Sequence, residues 1–434
     1  MARDGDDGVA AGGWGEALVT RSIGVGLVGY SFMGRAHSAA WRNVAAAFGS
    51  EITPELVVLC GRDRAAATAA AARLGWSAVE TDWRRVVERD DVGIVDICTP
   101  GASHAEIAIA ALRAGKHVLC EKPLARDLAE AEDMAAEAAR AHERTGVVAM
   151  VGFNYRRLPA VELARRLVAS GRLGDLRHAR AAYLQDWLVD ADVPLSWRLV
   201  RDEAGSGSLG DLAAHAIDLV EHVSGARLAA VSALLTTFVA TRPAVAGAEG
   251  LTSKATGGAR GEVSVDDASL FLARLSGGAV GTFEATRYAT GHKNALRVEL
   301  NGSLGSLAFD LERLNELEIY EQGRDEDASA GWRRVLVTEP EHPYLEAWWP
   351  PGHVLGWEHS FVHEVHDLLA AIEGGGEIHP SFADGLAVQR VLDAVERSAA
   401  SGAWVETGLG HRLRPPADPG LAVTPARSAQ KEEP

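Results

Sequence analysis

The feature that most constrains the fold is a short apolar stretch that runs directly into a glycine-containing loop and then into a helix. Ile23–Val28 predicts a buried strand, and it is followed by Gly29, Ser31, Gly34 and a helical segment at 36–48. The first glycine of such a loop allows a tight turn, and the last allows the helix to pack closely on the strand. Serine stands where a second glycine is expected, but it is small and can hydrogen-bond to phosphate. The free N–H groups at the start of a helix bind pyrophosphate, so the loop predicts a dinucleotide site.

Apolar runs alternate with alanine-rich helical segments from this loop to about residue 150. Such alternation predicts parallel strands joined by right-handed crossovers. The uninterrupted apolar character of the strands predicts that helices cover both faces of the sheet. We therefore expect an NAD(P)-binding Rossmann domain at residues 21–150. Its further strands are predicted at 56–60, 94–98, 118–120 and 147–151, and its further helices at 65–74, 83–89, 105–114 and 128–145.

The pattern changes after residue 151 to runs of strands separated by short glycine turns, which predicts a mostly antiparallel sheet. The fold class expected for the whole chain is an α/β Rossmann domain plus an α+β domain with a large, mostly antiparallel open sheet. The second domain, for substrate binding and oligomerisation, is placed at 151–410, and residues 1–20 and 411–434 are expected to be tails. An alanine- and glycine-rich stretch at 241–263 is expected to be a mobile loop. Strands are predicted at 177–185, 228–238, 268–275, 279–286, 295–300, 306–309 and 317–320, and helices at 159–170, 209–223, 357–372 and 382–400.

Composition narrows the class of partners. The 434-residue chain has a formal net charge of −17, and nucleic-acid binding needs clustered positive charge, so we expect no nucleic-acid partner. No apolar run reaches the roughly 20 residues that span a bilayer, so we expect no membrane partner. The N-terminus is acidic and rich in glycine rather than basic and then apolar like a signal peptide. The expected location is therefore cytoplasmic.

Each of the three cysteines, Cys60, Cys98 and Cys120, ends an apolar run. We interpret them as small buried residues at strand ends, with a catalytic thiol as the alternative. No CxxC pair is present, so a zinc cluster is not expected.

The end of the second predicted strand bears on the choice of cofactor. An NAD-binding domain usually carries an acid there, whereas an NADP-binding domain often carries an arginine for the 2′-phosphate. Here Gly61 comes first, then Arg62, then Asp63. This order favours NADP, with a solvated loop residue as the other interpretation of Arg62.

Two further strand ends carry reactive side chains. One is the stretch from Thr99 and Pro100 to His104, and the other is Glu121 followed by Lys122 and Pro123. Ligands of open parallel sheets bind in a crevice at the carboxyl ends of the strands. We therefore expect Lys122 to point into this crevice. A lysine in such a position can take part in proton transfer.

A glycine- and serine-rich loop at 205–208 opens a helix that carries Asp211, His215 and Asp218. Spacings of four and three residues place these side chains on one helix face. Histidine titrates near neutral pH and suits the removal of an alcohol proton. A satisfied histidine on an amphipathic helix is the structural alternative. A metal site built from these three residues is a further alternative, but we expect no metal because the chemistry does not require one.

These motifs together resemble the Gfo/Idh/MocA family (glucose–fructose oxidoreductase, inositol dehydrogenase and rhizopine-catabolism proteins) over residues 23–405. The segment 380–385 near the C-terminus also looks like that family. The resemblance implies a catalytic triad of Lys122, Asp211 and His215, with either Lys122 or His215 as the base. With the motifs, it implies a cofactor-binding set of Gly29, Ser31, Phe32, Met33, Gly34, Arg62, Thr99, Pro100, His104, Glu121 and Asn154.

A narrower resemblance lies in the segments 183–187 and 194–198, which look like the levoglucosan dehydrogenase branch. That branch oxidises a sugar ring hydroxyl, typically at C3, and favours NAD, so the cofactor stays open between NAD and NADP. Tryptophan rings stack on sugar C–H faces, while amide and charged groups bind hydroxyls. The stretch 348–353 is expected to line this pocket or a subunit contact. The expected substrate-binding residues are Arg156, Gln185, Trp197 and Asp218.

The function predicted is hydride transfer between a ring hydroxyl of a sugar, glycoside or cyclitol and nicotinamide. Alternatives are a biosynthetic ketoreductase, a non-redox enzyme with a tightly held cofactor, and a dinucleotide-binding regulatory protein. The regulatory alternative would be favoured by loss of Lys122 or His215, and both are present. An open antiparallel sheet needs its free face covered, so a homodimer or homotetramer is expected.

Overall fold

A computed structural model describes residues 21–244, 259–324, 328–375 and 378–410. The predicted tails at 1–20 and 411–434 lie outside the described residues. So does the central part of the predicted loop at 241–263.

The first half of the chain forms a parallel sheet of six strands within the described ranges, in the order β3-β2-β1-β4-β5-β6. This is the strand order of the doubly wound dinucleotide-binding fold, so the predicted Rossmann fold is confirmed. The three-residue strand β3 was not predicted because its side chains are all only half-buried and form no apolar run. The strands are β1 (Arg21–Val28), β2 (Ile52–Cys60), β3 (Ala78–Glu80), β4 (Ile94–Ile97), β5 (His117–Glu121) and β6 (Ala149–Gly152).

Five helices connect these strands and cover both faces of the sheet. Local sequence signals set their ends: Asp63 and Asp127 cap helix starts by accepting hydrogen bonds from backbone N–H groups. Gly49, Gly75 and Gly146 end helices in the left-handed conformation that glycine adopts readily. The helices are α1 (Phe32–Phe48), α2 (Arg64–Leu74), α3 (Trp83–Val87), α4 (His104–Arg113) and α5 (Leu128–Thr145).

The second half contains a sheet of nine strands in the described part of the chain, in the order β16-β15-β14-β13-β7-β12-β11-β8-β17. All its neighbours are antiparallel except β7 and β12, so the predicted mostly antiparallel sheet is confirmed. The strands of this half, including the separate pair β9 and β10, are β7 (Leu176–Leu184), β8 (Leu228–Thr236), β9 (Thr241–Pro243), β10 (Arg260–Glu262), β11 (Ala268–Leu275), β12 (Val280–Thr286), β13 (Ala295–Gly302), β14 (Gly305–Asp310), β15 (Glu316–Glu321), β16 (Arg333–Leu336) and β17 (Val405–Glu406).

The prediction of a mobile loop at 241–263 is wrong at both ends of that segment. Strands β9 and β10 pair antiparallel there, with Thr241 opposite Glu262. The alanine- and glycine-rich composition concealed two strands of only three residues each.

Helices α6, α8 and α10 pack against the nine-stranded sheet, whereas the four-residue α7 and the long α9 do not. The buried apolar side chains of α9, among them Phe361 and Leu368, join the core formed by β1, α1 and the first sheet. No helix within the described ranges is long and apolar enough to cross a membrane. These helices are α6 (Pro159–Ala169), α7 (Arg201–Ala204), α8 (Ala214–Ser224), α9 (His359–Gly374) and α10 (Phe382–Ser401), and a π-helical turn at Leu209–Ala213 precedes α8.

Candidate active site

The glycine loop between β1 and α1 has the backbone that a dinucleotide needs. Gly29 has a φ of 98°, and a Cβ there would lie 2.7 Å from the carbonyl oxygen of Cys98. A Cβ on Gly34 would lie 2.1 Å from the carbonyl oxygen of Gly29, so neither position accepts a larger residue. The exposed Ser31 precedes α1 without capping it through its side chain. Its hydroxyl and the N–H groups of the first helical turn therefore fit a pyrophosphate.

The first two residues of α1 point in different directions. Phe32 is 48% exposed and stacks on Trp357, with ring centroids 5.5 Å apart. Met33 is half-buried and packs against the core between the first sheet and α9. Of these two predicted cofactor residues, only Phe32 presents its side chain at the surface of the loop.

The loop after β2 leaves Arg62 as the exposed charged group nearest the strand end. A Cβ on Gly61 would lie 1.9 Å from Cε1 of Tyr30, so the tyrosine ring fills the space beside this glycine. The carboxylate of Asp63 accepts a hydrogen bond from the backbone N–H of Ala66 at the start of α2. Asp63 therefore serves as a helix cap, and Arg62 stays exposed.

His104 does not bind the cofactor with its ring, which corrects that prediction. The ring is 1% exposed, Nε2 lies 2.8 Å from the carbonyl oxygen of Thr99, and Nδ1 lies 3.1 Å from that of Pro123. The histidine thus ties the loop after β4 to the loop after β5. In the loop after β4, Thr99 accepts a hydrogen bond from the Ser103 hydroxyl at 2.8 Å, and Pro100 precedes a short 3-10 turn.

The Glu121 carboxylate is fixed by a buried hydrogen-bond network. Its Oε1 lies 3.0 Å from Nε2 of His37, whose Nδ1 lies 3.0 Å from Asp96. Its Oε2 accepts a hydrogen bond from the backbone N–H of Lys122 at 3.0 Å. Burial would lower the pKa of His37, but the neighbouring Asp96 carboxylate raises it well above 6.5. The network fixes both the Glu121 carboxylate and the start of the loop that carries Lys122.

Lys122 and Asp211 meet although they are 89 residues apart in the chain. The Nζ atom of Lys122 donates to the backbone oxygen of Asp211 at 2.8 Å and lies 3.4 Å from its carboxylate. Asp211 sits in the π-helical turn before α8, a helix defect that is frequent at functional sites. The two side chains are 14% and 29% exposed, so the pair is open to the crevice.

His215 follows one turn later and is buried among aromatic rings. Its ring lies 4.5 Å from that of Tyr155 and 6.0 Å from that of Tyr183. Its Nδ1 atom has no hydrogen-bond partner within the described residues. Burial, reinforced by the positive charge of Lys122 and opposed by Asp211, lowers the pKa of His215 well below 6.5. A neutral imidazole with an unpaired nitrogen is suited to accept a proton.

Two arginines that the sequence analysis did not assign to the site act on Asp211. Nη1 of Arg287 lies 3.5 Å from the Asp211 carboxylate, and Arg287 is fully buried. Arg198 stacks on the ring of Trp197 at 4.4 Å. Burial alone would raise the pKa of Asp211, but Lys122, Arg287 and Arg198 together lower it to about 2. Arg287 directly follows β12 and belongs to no recognisable motif, so no sequence signal marked it.

Arg156 and Asp218, both predicted to bind substrate, bind each other instead. The guanidinium of Arg156 donates to both carboxylate oxygens of Asp218 at 2.5–3.0 Å, and the residues are 5% and 1% exposed. This corrects their assignment, because a buried charge is stable only when paired and hydrogen-bonded. It also removes Asp218 from the alternative metal-ligand set with Asp211 and His215.

The remaining predicted site residues are distributed around this centre. Asn154 is buried and donates to the hydroxyl of Ser360 at 2.8 Å. Gln185 directly follows β7, Trp197 opens the 3-10 turn Trp197–Leu199, and both are half-buried. Trp348 donates to His363 at 2.7 Å and is therefore part of the packing around α9, whereas Trp349 is 55% exposed.

The cysteines are unsuited to act as nucleophiles. Burial raises the pKa of Cys60 to about 12 and raises those of Cys98 and Cys120 well above the usual range. Since the thiolate is the reactive form, this favours the interpretation as small buried residues.

Comparisons with known proteins agree with this geometry. Residues 23–153 match the oxidoreductase family with an NAD-binding Rossmann fold, and residues 161–308 match the GFO/IDH/MocA C-terminal domain. Levoglucosan dehydrogenase of Pseudarthrobacter phenanthrenivorans is 41% identical over 390 residues, which cover 89% of this chain and 98% of the relative.

Solved structures of oxidoreductases are also similar to this chain over most of its length. An oxidoreductase domain protein from Kribbella flavida is 58% identical with a TM-score of 0.84, covering 89% of this chain and 99% of that one. Levoglucosan dehydrogenase in complex with NADH and levoglucosan is 40% identical with a TM-score of 0.83, covering 89% and 100%.

Proposed function

The chain belongs to the Gfo/Idh/MocA family of oxidoreductases with an NAD-binding Rossmann domain, and on that basis we propose that it oxidises a ring hydroxyl of a sugar, glycoside or cyclitol. One observation carries the proposal: Lys122 contacts Asp211, and both act electrostatically on the neighbouring neutral His215, whose Nδ1 has no partner among the described residues. The domain boundaries near residues 150 and 410 are part of the same proposal.

The residues around the glycine loop fit a nicotinamide dinucleotide. Gly29, Ser31 and Gly34 would hold the pyrophosphate, and Arg62 would face the ribose or its 2′-phosphate. Thr99, Pro100, Glu121 and Asn154 would line the nicotinamide half. When bound, the nicotinamide supplies the acceptor for the hydride that leaves the sugar carbon.

The chain's own residues would manage the proton of the reacting hydroxyl. His215 is neutral and would accept this proton at a ring nitrogen as the C–H bond breaks. Lys122 would donate a hydrogen bond to the same oxygen and stabilise the negative charge that develops there. Asp211 would hold the Nζ atom of Lys122 in place through its backbone oxygen and its carboxylate. Because burial and the charge of Lys122 lower the pKa of His215, its imidazole is unprotonated near neutral pH and free to act as the base.

The substrate side of the crevice has the surface that a sugar requires. Trp197 offers a ring next to Arg198, and Gln185 offers amide hydrogen-bonding groups beside Trp187. Aromatic rings stack on sugar C–H faces, and amides bind hydroxyls. We infer a neutral, hydroxyl-rich ring as the substrate, and the relatives named above are consistent with this class.

The test is the absorbance of reduced nicotinamide during incubation with NAD or NADP and a panel of levoglucosan, glucose, other glycosides and myo-inositol. The proposal predicts reduction with at least one sugar or cyclitol. Preference for NADP would support Arg62 as the residue that binds the 2′-phosphate. If no compound of the panel reduces either cofactor, the proposal is contradicted, and a ketoreductase or a non-redox enzyme with a tightly held cofactor is favoured.

We also propose that the free face of the nine-stranded sheet packs against a second copy of the chain. This face forms a groove of about 1030 Å³. Leu234, Leu270 and Leu272 are 40–62% exposed there, next to charged residues such as Arg180 and Glu299. Exposed apolar side chains in such a row mark an interaction surface.

The proposed cytoplasmic location is supported by the absence of disulfides among the described cysteines.

Introducing a charge at Leu272 should break this assembly. We expect Leu272→Glu to reduce the mass in solution from a dimer or tetramer to a smaller species, because an unpaired carboxylate would be buried in the contact. Light scattering after gel filtration measures this mass. Val354→Glu is the matched control, since Val354 is 59% exposed but does not line the groove. A wild-type monomer would contradict the proposed assembly.

A further inference from the structure

Two amide side chains lie side by side where β7 ends and β13 begins. These strands are antiparallel, and Leu184 is paired with Ala295. Gln185 directly follows β7 and Asn294 directly precedes β13, so the two residues occupy the same edge of the sheet. Tyr183, two residues before Gln185, has its ring 6.0 Å from that of His215. The amides therefore border the proposed catalytic centre.

A continuous chain of hydrogen bonds runs through these amides. Gln185 lies 2.9 Å from the indole nitrogen of Trp187 and 2.8 Å from Oδ1 of Asn294. The Tyr183 hydroxyl lies 2.7 Å from the same Oδ1. Beyond it, Tyr155 lies 3.0 Å from Tyr183, and the indole nitrogen of Trp357 lies 3.3 Å from Tyr155.

Chemistry fixes the direction of every bond in this chain, because an indole N–H can only donate. At one end, Trp187 donates to Gln185, so the oxygen of the Gln185 amide faces Trp187 and its nitrogen donates to Asn294. The Asn294 oxygen can only accept, so Tyr183 donates its single hydroxyl proton to it. Tyr155 must then donate to Tyr183, while its own oxygen accepts from Trp357. The Gln185 end of the chain therefore sets every direction and requires that Asn294 accept with its oxygen.

The consequence concerns the nitrogen of the Asn294 amide. Its oxygen already receives two hydrogen bonds, so the amide cannot rotate without losing both. The Nδ2 group has no bond to any described residue, and Asn294 is only half-buried. Neither tyrosine has a proton left to donate, because each hydroxyl proton is used within the chain. Burial, reinforced by Tyr155, also raises the pKa of Tyr183 well above 10, which keeps it protonated.

We propose that Asn294 is a substrate-binding residue whose fixed NH₂ group donates to a hydroxyl oxygen of the sugar and selects hydroxyl over ammonium at that position. The inference rests on the proposed function and adds a specificity determinant to it. A hydroxyl oxygen can accept from Nδ2, whereas an ammonium group has only donors. Tyr183 acts as a positioning residue that fixes the orientation of the Asn294 amide.

Asn294→Asp tests this with a nearly isosteric change. The oxygen that accepts from Gln185 and Tyr183 is retained, but the group facing the ligand becomes an acceptor. We expect the KM for the sugar oxidised by the wild type to rise about 10- to 100-fold, since a donor to the substrate is lost. The dissociation constant for NADH, measured by nicotinamide fluorescence, should stay unchanged. Relative turnover of single-position amino-deoxy analogues of that sugar should increase for one analogue.

A second variant and a control complete the experiment. Tyr183→Phe removes one of the two donors to the Asn294 oxygen and leaves the amide held by Gln185 alone, so KM should rise with little change in kcat. Asn301→Asp lies at the other end of β13 and bonds to Glu299 and Ser306, so it should leave KM unchanged. An active wild type together with an unchanged KM in both Asn294→Asp and Tyr183→Phe would overturn this inference alone. A wild type inactive on every sugar would overturn the proposed function as well.

Discussion

Lys122→Ala is expected to lower kcat for sugar oxidation by about 10³-fold, the range for loss of a catalytic charge or donor. The Nζ atom is held by two oxygens of Asp211 at 2.8 and 3.4 Å. It can therefore approach the reacting hydroxyl in a fixed position and stabilise the negative charge that develops on the oxygen as the base removes its proton. Alanine removes the charge and leaves Asp211 with Arg287 and Arg198 only.

Cofactor binding should survive this change, because the glycine loop and Arg62 belong to other parts of the Rossmann domain. NADH titration by fluorescence and initial-rate kinetics measure the two effects separately. Lys116→Ala is the matched control, since Lys116 donates to the backbone oxygens of Arg89 and Val92 and has no place in the crevice. Turnover retained in Lys122→Ala would remove Lys122 from the mechanism.

His215→Asn is expected to lower kcat for oxidation by about 10²- to 10⁴-fold, the usual contribution of a general base. It should also change the pH dependence. A base is active when unprotonated, so the rate rises with pH through its pKa and is then constant. Burial and Lys122 hold the pKa of His215 well below 6.5, so the wild type should keep its kcat down to below pH 6.5 before it falls.

The variant should lack this fall in kcat at acidic pH, which initial rates measured from pH 9 down to the acid-stability limit of the wild type would reveal. His222→Asn provides the control on the same helix, since His222 is buried two turns further on and lies 3.4 Å from Glu162. Loss of the His222 imidazole should lower thermal stability without changing the pH at which kcat falls on the acidic side. A fall in kcat at acidic pH that persists unchanged in His215→Asn would assign the base to another residue.

The Rossmann half could be predicted closely because its signals are local. A glycine at φ 98° and a second glycine against its carbonyl oxygen are requirements of a few neighbouring atoms, and they leave a spacing that can be read from the sequence. The same holds for Lys122, which stands at the end of an apolar strand. Its meeting with Asp211 was implied by the family resemblance rather than by any local pattern.

The errors in the predicted site residues have two physical causes. Arg156 and Asp218 looked like substrate-binding groups because polar residues beside a catalytic motif can face either a ligand or each other. Only the packed structure shows the buried ion pair. Arg287, and Asn294 in its proposed role, were missed for a different reason. Each is a single residue beside an antiparallel strand, and its partners come from elements far away in sequence.

The central claim is that a hydride passes from a sugar ring carbon to nicotinamide in this crevice, and isotope transfer tests it most directly. The wild type would be incubated with NAD and with the active sugar of the panel carrying deuterium on its ring carbons. The account predicts one deuterium on C4 of the reduced nicotinamide and a ketone on the sugar ring, both visible by NMR and mass spectrometry. Reduced nicotinamide without deuterium, or no net reduction with any sugar and either cofactor, would contradict it.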